Sequence, residues 1–339
     1  MNNIVSYRVR LARNIHGHAF PGRVDALTRR ELINGVAKTL SDFTFIPLEA
    51  NDTNALALKE RRLISPEFAA EAAPHGVLLN GDNTVSVMLC EEDHLRIQVF
   101  GEDLQQCLKT AQEAEDRIDG CHPLAFDETL GFLTACPTNL GTGFRASALM
   151  HLPALTETQS MRRLIQQAGA SGLAVRGFYG EGTQAAWGYY QISNAVTLGL
   201  TEQEIITALS EVTGQIAEFE HRAQNSLRKG DPVGLEDRVW RALGTAKNAR
   251  RITTAEAMEC LAAVRLGASL ALLPGITTKQ IDKLSQEVWP GLLTQAKGPF
   301  ANQTERDEAR ATLLRDALRE VQNEQQTHTE SPCGDQDGA

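Results

Sequence analysis

The chain has 339 residues, enough for two domains, and its 42% hydrophobic and 22% charged fractions exclude a disordered or fibrous protein. A formal net charge of −10 speaks against a general nucleic-acid binder, which needs a basic face for phosphate. Six cysteines without a CxxC pair or metal-ligand spacing, arginines where a signal peptide would be apolar, and no run of ~18 apolar residues give the expectation of a cytoplasmic chain with reduced thiols.

Taken in order, Ile4 to Leu11 alternates apolar and polar residues and predicts a strand on which Arg8 and Arg10 leave the same face. Thr28 and Glu31 form a capping-box pattern ahead of a helix through Leu32, Ile33, Val36 and Leu40. Val85–Leu89 and Leu95–Val99 alternate around the polar turn Glu91-Glu92-Asp93-His94, which predicts an antiparallel hairpin. A helix is expected from Gly101 to about Arg117, and further strands at Gly131–Cys136, Leu173–Tyr179 and Trp187–Ile192.

Thr201 and Glu204 make a second capping box, opening a helix that buries Ile205, Leu209, Val212, Ile216 and Phe219. RKGDPVG (Arg228–Gly234) is the best linker, and beyond it only helices are expected: about Leu235–Leu243, Thr254–Leu272, Thr278–Val288 and Glu305–Val321. The result is an α+β domain over residues 1–228, an antiparallel sheet flanked by helices, then a small all-helical domain over 229–324. A polar tail, 325–339, is expected to be disordered.

No Walker A sequence and no eukaryotic-type protein-kinase set is present, and GEGTQAAWG (Gly180–Gly188) lacks the spacing of a phosphate-binding glycine loop. Arginines are more informative. Arg8, Arg10, Arg96 and Arg176 sit on predicted strands, and Arg145 follows a glycine-rich loop. Any one of them is ordinarily a surface charge, but five suit a polyphosphate, whose oxygens match guanidinium forks. Glu92 and Glu181 lie in turns, where a carboxylate is ordinarily solvated. Paired carboxylates would be needed for an arginine acceptor, because a guanidinium nitrogen must be oriented and relieved of a proton before it attacks. Cys136 reads as a small buried residue, or as a thiolate if arginines lie nearby.

SYRVRLARN, CEEDHLRIQ, CPTNLGTGFRASALMHLP and VRGFYGEGTQA resemble the signatures of guanidino (phosphagen) kinases, and within them the bacterial protein-arginine kinases. The resemblance runs from about Ile4 to Val321 through ISNAVTLGLTEQEII, LEDRVWRALG, AVRLGASLALLPG and ERDEARA. It implies ATP contacts from Ser6, Tyr7, Arg8, Val9, Arg10, Arg62, Arg96, Arg145, Ala146, Ser147, Ala148, Leu149, Arg176, Gly177, Phe178, Tyr179, Gly180 and Glu181. It makes Glu92 the catalytic base, Glu181 a second carboxylate on the acceptor, and Cys136 the thiol beside it. RDEARA (Arg306, Asp307, Glu308, Ala309, Arg310, Ala311) matches the family's RDxxRA motif, an allosteric phosphoarginine pocket. Read alone, it is the charged face of a helix.

Tyr7 stands where serine is usual, and Arg62 where histidine is frequent. With five residues before Ser6, the helical domain that closes over small acceptors in kinases of free arginine or creatine is expected to be missing, leaving an open site for protein side chains. The resemblance thus implies ATP with Mg²⁺ held mainly by phosphates and water, with no dedicated protein metal ligand. It implies protein substrates with exposed arginines, marked for quality control or degradation under stress, a homodimer, a zinc-binding activator and a Clp-type protease, with no nucleic acid and no membrane. A free-arginine kinase and a non-catalytic phosphoarginine-binding regulator are the alternatives.

Overall fold

The computed structural model describes residues 3–177 and 186–319. The order is β1 (Ile4–Arg13), α1 (Ala26–Thr39), β2 (Thr44–Pro47), α2 (Thr53–Glu60), α3 (Pro66–Ala69), β3 (Gly76–Leu79), β4 (Val85–Leu89) and β5 (Leu95–Gly101). Then come α4 (Leu104–Asp119), β6 (Phe126–Asp127), β7 (Gly131–Phe132), β8 (Phe144–His151), α5 (Pro153–Glu157), α6 (Met161–Ala170), β9 (Leu173–Gly177) and β10 (Tyr189–Asn194). Six helices follow: α7 (Glu202–Gly230), α8 (Pro232–Asn248), α9 (Thr254–Ser269), α10 (Thr278–Glu287), α11 (Pro290–Lys297) and α12 (Gln303–Ala317).

The main sheet is antiparallel throughout, in the order β2-β3-β4-β5-β1-β8-β10-β9, and β1 is central to it. Because side chains alternate along a strand, each position has a fixed face. Val9, Leu11, Val87, Ile97, Val99, Ala146, Ala148 and Ile192 form the back face and pack with α1, α4, α6 and α7 into the largest core.

Among the described residues, helices cover the front face at both ends. At the β3–β4 end, α2 and α3 pack Leu58, Leu63, Ile64 and Phe68 on Val77, Leu79 and Met88. At the other end, Leu149 and Tyr189 enter a core with Val239, Leu243, Leu261 and Leu284 from α8, α9 and α10. The helical region is therefore a wall of the front trough. The two walls also meet, because the Glu60 carboxylate at the end of α2 accepts the amides of Gly291 (2.9 Å) and Leu292 (2.8 Å) at the start of α11.

Several expectations hold and several are corrected. The β4–β5 hairpin and the Thr201–Glu204 capping box form as read, both reciprocal bonds of the box being present. Helix α1 starts before the Thr28 pattern because Asp25 caps it, accepting the Thr28 amide at 2.8 Å. The strand expected over Gly131–Cys136 shrinks to two residues, since Cys136 turns the chain into a short 3-10 helix at Pro137. The linker shrinks to Asp231, which ends α7 and caps α8 by accepting from Gly234. Helices α2, α3, α5, α6 and α11 and strands β2, β3, β6 and β8 carried no sequence expectation; most are short, but β8 has eight residues and pairs with β1.

One carboxylate device occurs twice. Like Glu60 on α11, Glu220 on α7 accepts two successive amides, Ala154 (3.0 Å) and Leu155 (2.9 Å), at the start of a helix whose first residue is proline. Gln224 donates to the same carboxylate at 2.9 Å, and Glu220 is fully buried. Replacing it with alanine orphans both amides and the Gln224 amide. Glu220→Ala is expected to lose about 2–4 kcal/mol in urea unfolding, with Glu220→Gln intermediate; equal stability of all three would remove the clamp from the account.

Candidate active site

The middle of the front face is lined by arginines. On β1, Arg10 lies opposite Arg145 of β8 and Gln98 of β5, and Arg8 opposite Ser147 and Phe100. Arg96 is two residues from Gln98 and so shares its face; Arg176 of β9 pairs with Gln191, which pairs with Leu149. All five arginines read from the sequence therefore occupy one face, across β5, β1, β8 and β9.

Their electrostatics bear out the closeness. Burial, then Arg62, Arg96 and Arg145, pushes Arg8 down to about 9. Burial followed by Arg8, Arg96 and Arg145 pushes Arg10 well down, with Glu91 opposing. Arg145 is lowered by burial and by Arg176 and Arg96, while Cys136 acts in the other direction. Like charges facing each other across strands are unfavourable, so something must hold them. Among the described residues, the buried Nε atoms of Arg10 and Arg145 have no hydrogen-bond partner. A ligand rich in anionic oxygens fits these donors.

The Glu91–His94 turn sits at the end of this face, held on several sides. Cys90 adopts a left-handed conformation (φ 63°), and buried Arg29 of α1 donates to its carbonyl. His94 accepts the Ile15 amide on Nδ1 (3.0 Å), which places the proton on Nε2, facing the Ala19 carbonyl (2.9 Å). Burial chiefly pushes its pKa down to about 4, so this imidazole is neutral. Asp93, 3% exposed, accepts from Asn14 (2.6 Å) and from the Ala135 amide (2.7 Å), fixing the turn against the residue before Cys136. The Glu91 carboxylate accepts from Ser65 and lies 2.6 Å from Arg96; burial, foremost, raises its pKa. Glu92 stays half exposed, 3.9 Å from Arg96. Of the turn's acidic groups it is the one left to face a substrate.

Cys136 is partly exposed, with its sulfur 3.0 Å from the Thr138 hydroxyl. The loop it opens is fixed by Thr197, whose hydroxyl donates to the carbonyls of Thr138 (2.9 Å) and Leu140 (2.6 Å). At Gly141 (φ 94°) a Cβ would lie 2.8 Å from the Leu198 Cα and the Thr197 carbonyl, so only glycine lets these backbones meet. Arg13, wholly buried against Glu115, donates to the Thr142 carbonyl at 2.9 Å and stacks over Phe132. Thus the cysteine loop, the carboxylate turn and β1 form one braced unit.

Not every expected residue turns toward the trough. Tyr7, Val9, Ala146 and Ala148 point their side chains to the back core, and Leu149 is buried in the core shared with the helical region. These can serve a ligand only through backbone or as floor. Ser6 and Ser147 share the front face, the Ser147 hydroxyl donating to the Arg8 carbonyl at 3.4 Å. Gly177 ends β9 opposite Tyr190. Phe178, Tyr179, Gly180 and Glu181 lie outside the described residues.

In the RDEARA segment, the charged-face reading is corrected. Asp307, Arg310 and Ala311 are buried, and Arg310 donates to the carbonyls of Val288 (2.7 Å) and Ile252 (2.9 Å) and to Asp307. Glu308 pairs at 2.9 Å with Arg251, and Arg306 and Ala309 are half-buried. The Arg306 Nε is buried without a hydrogen-bond partner among the described residues. Among the described residues no group of three or more His, Cys, Asp or Glu could hold a metal ion.

Sequence reading missed Glu91, Asn14 and Asp93. Nothing in the alternation separates Glu91 from Glu92. Only the contact with Ser65, 26 residues away, marks one carboxylate as buried and the other as available.

Known proteins resemble this chain in sequence and in fold. Residues 24–223 match the model of the ATP:guanido phosphotransferase C-terminal catalytic domain, and residues 232–329 that of the protein-arginine kinase McsB C-terminal domain. The chain is 40% identical to the protein-arginine kinase of Bacillus pumilus, covering 93% of this chain and 90% of that one. It is 39% identical to that of Bacillus subtilis, covering 97% and 93%. Among solved structures, a duplicated taurocyamine kinase of Schistosoma mansoni with transition-state analogue components is 26% identical with TM-score 0.60. That match covers 75% of this chain but only 38% of the duplicated enzyme. A lombricine kinase structure shares the fold at 24% identity and TM-score 0.57, over 66% of this chain and 68% of that one. Matched along both its sheet and its helical portions, the chain belongs to the protein-arginine kinase family.

Proposed function

We infer that the chain transfers the γ-phosphoryl group of ATP to arginine side chains of proteins, and that the front trough is where it does so. The observation that carries this is the gathering of Arg8, Arg10, Arg96, Arg145 and Arg176 on one sheet face, with Glu92 at its end. Guanidinium forks suit the triphosphate and the charge that spreads over the transferring group, so the arginines both position ATP and neutralise the transition state. Ser6, Ser147 and Arg62 complete the nucleotide side of the trough, with backbone contributions at Tyr7, Val9, Ala146 and Ala148.

Transfer is direct. The acceptor nitrogen forms a bond to the γ-phosphorus as the bond to the ADP oxygen breaks, and a guanidinium proton passes to the Glu92 carboxylate. Glu92 also orients the acceptor fork; Glu181 is proposed as its partner and Cys136 as the thiol beside the acceptor. Magnesium, carried by the phosphate oxygens, would add charge neutralisation. Arg306, whose Nε has no partner among the described residues, gives the RDEARA segment a donor for a phosphoarginine group, which is the proposed allosteric pocket. A homodimer through the helical domain, a cytoplasmic site of action, a zinc-binding activator, delivery to a Clp-type protease and a role in stress-related quality control belong to the same proposal and rest on family membership alone.

Glu92→Gln is expected to lower kcat by about 10²–10⁴-fold while ATP affinity stays within about twofold; unchanged turnover would remove Glu92 as base. Tripolyphosphate should raise the melting temperature at low salt, with the gain shrinking as salt rises, because the ligand relieves repulsion among the arginines. Absence of any shift would count against a polyphosphate trough. Free arginine and an arginine-rich protein offered together should give acid-labile phosphate on the protein; turnover confined to free arginine would overturn the substrate assignment.

A further inference from the structure

Arg62 lies where the two walls of the trough meet. It follows the last turn of α2 in a left-handed conformation (φ 63°), the position glycine usually takes when a helix ends in this way. Its amide donates to the Lys59 carbonyl (2.9 Å), and the Leu63 amide reaches back to Leu58 (3.0 Å). A long side chain in this conformation persists when its surroundings fix it.

Those surroundings come from two sides. On one, the carbonyl of the next residue, Leu63, accepts from Ser86 (2.8 Å) and Gln98 (2.8 Å). Gln98 sits opposite Arg10 in register, so the Arg62–Leu63 backbone is tied to the arginine face. On the other, Glu60, two residues before Arg62, caps α11 with both carboxylate oxygens, and Arg61 reaches Gln295 of the same helix at 3.4 Å. Gly291 makes this approach feasible: a Cβ there would lie 2.8 Å from the Glu60 carboxylate and 3.1 Å from the Ala57 amide.

Electrostatics join the same groups. Arg62 is the first of the neighbouring cations that depress Arg8. Burial pushes Arg62 itself down to about 10, while Tyr189 and Asp282 of α10 act to keep its charge. Asp282 is held by buried Arg265 through two bonds, 2.6 and 3.0 Å, and Arg265 in turn approaches His151 of β8 at 3.4 Å.

We propose that the helical region sets the position of Arg62 on the arginine face, with Glu60 and its contact to α11 as the positioning device, and so governs affinity for the nucleotide's phosphates. The proposal rests on reading the trough as an ATP site. Glu60 touches no reacting atom; it acts through Arg62. Because Arg62 stands on the nucleotide side of the trough, apart from the five arginines proposed to meet the transferring group, its contact is alike in ground and transition states, and the effect belongs in KM for ATP and not in kcat.

A double-mutant cycle in the full-length chain tests this, with a non-hydrolysable ATP analogue for Kd, an arginine-rich protein for turnover, and melting temperature without ligand. Arg62→Ala is expected to raise the analogue Kd and KM for ATP about tenfold. Glu60→Gln should raise them about three- to tenfold, with kcat within about twofold. In the Arg62→Ala background Glu60→Gln should change neither Kd nor KM further, although it lowers the melting temperature equally in both. Gly291→Ala, which lies in the helical region and displaces Glu60, should reproduce the Kd effect and its disappearance without Arg62. Effects that multiply in the double variants, or an Arg62→Ala protein with unchanged Kd, would overturn the proposal while leaving an active kinase. A wild-type chain that fails to bind the analogue would instead remove the ATP-site reading itself.

Discussion

Mutual repulsion among arginines on one face of an antiparallel sheet is the constraint around which this structure is arranged. Two of them, Arg10 and Arg145, stand directly across a strand pair, and a third cation, Arg8, is depressed first by burial and then by three others. An unliganded sheet would gain by dispersing them. The back face prevents dispersal, because moving any one of these side chains to the other face slips the register and exposes Val9, Leu11, Ile97 or Ala146 to water. Hydrophobic burial on one side thus holds charge in an unfavourable concentration on the other, ready for a polyanion.

The same division explains how the carboxylates are sorted. Glu91, Glu92 and Asp93 are consecutive, yet they have three environments: one buried against Ser65 and Arg96, one half exposed, one tied to Asn14 and Ala135. The turn is rigid because Cys90, Asp93 and His94 have their bonding satisfied within the protein. Rigidity of this kind favours catalysis, since a base that must be found by random motion forfeits the advantage of proximity.

Much of this was legible in the sequence where the signal is periodic. Alternation along Ile4–Leu11 and Val85–Val99 located the strands and the shared face of Arg8 and Arg10, and the Thr201–Glu204 pair located the start of α7. Residue spacing could not reveal contacts between distant segments. That Ser65 selects Glu91, that Asp93 holds Ala135, and that Leu149 belongs to the helical region's core are facts of tertiary packing with no local pattern. The linker was misjudged for a related reason. Gly230 and Pro232 look like breakers, but a proline at the first position of α8 and an aspartate cap allow two helices to abut with one residue between them.

That abutment has a mechanical meaning. Helix α7 has 29 residues and at 1.5 Å per residue spans about 43 Å. Its first turn carries Glu202, 3.9 Å from Arg13, while its last residue leads through Asp231 directly into α8. With Asp231 alone at the joint, a rotation of α8 that this one residue does not take up in φ and ψ tilts the whole rod. The far end of that rod lies against the arginine that supports the cysteine loop, so the helix serves as a stiff lever between the two halves of the molecule.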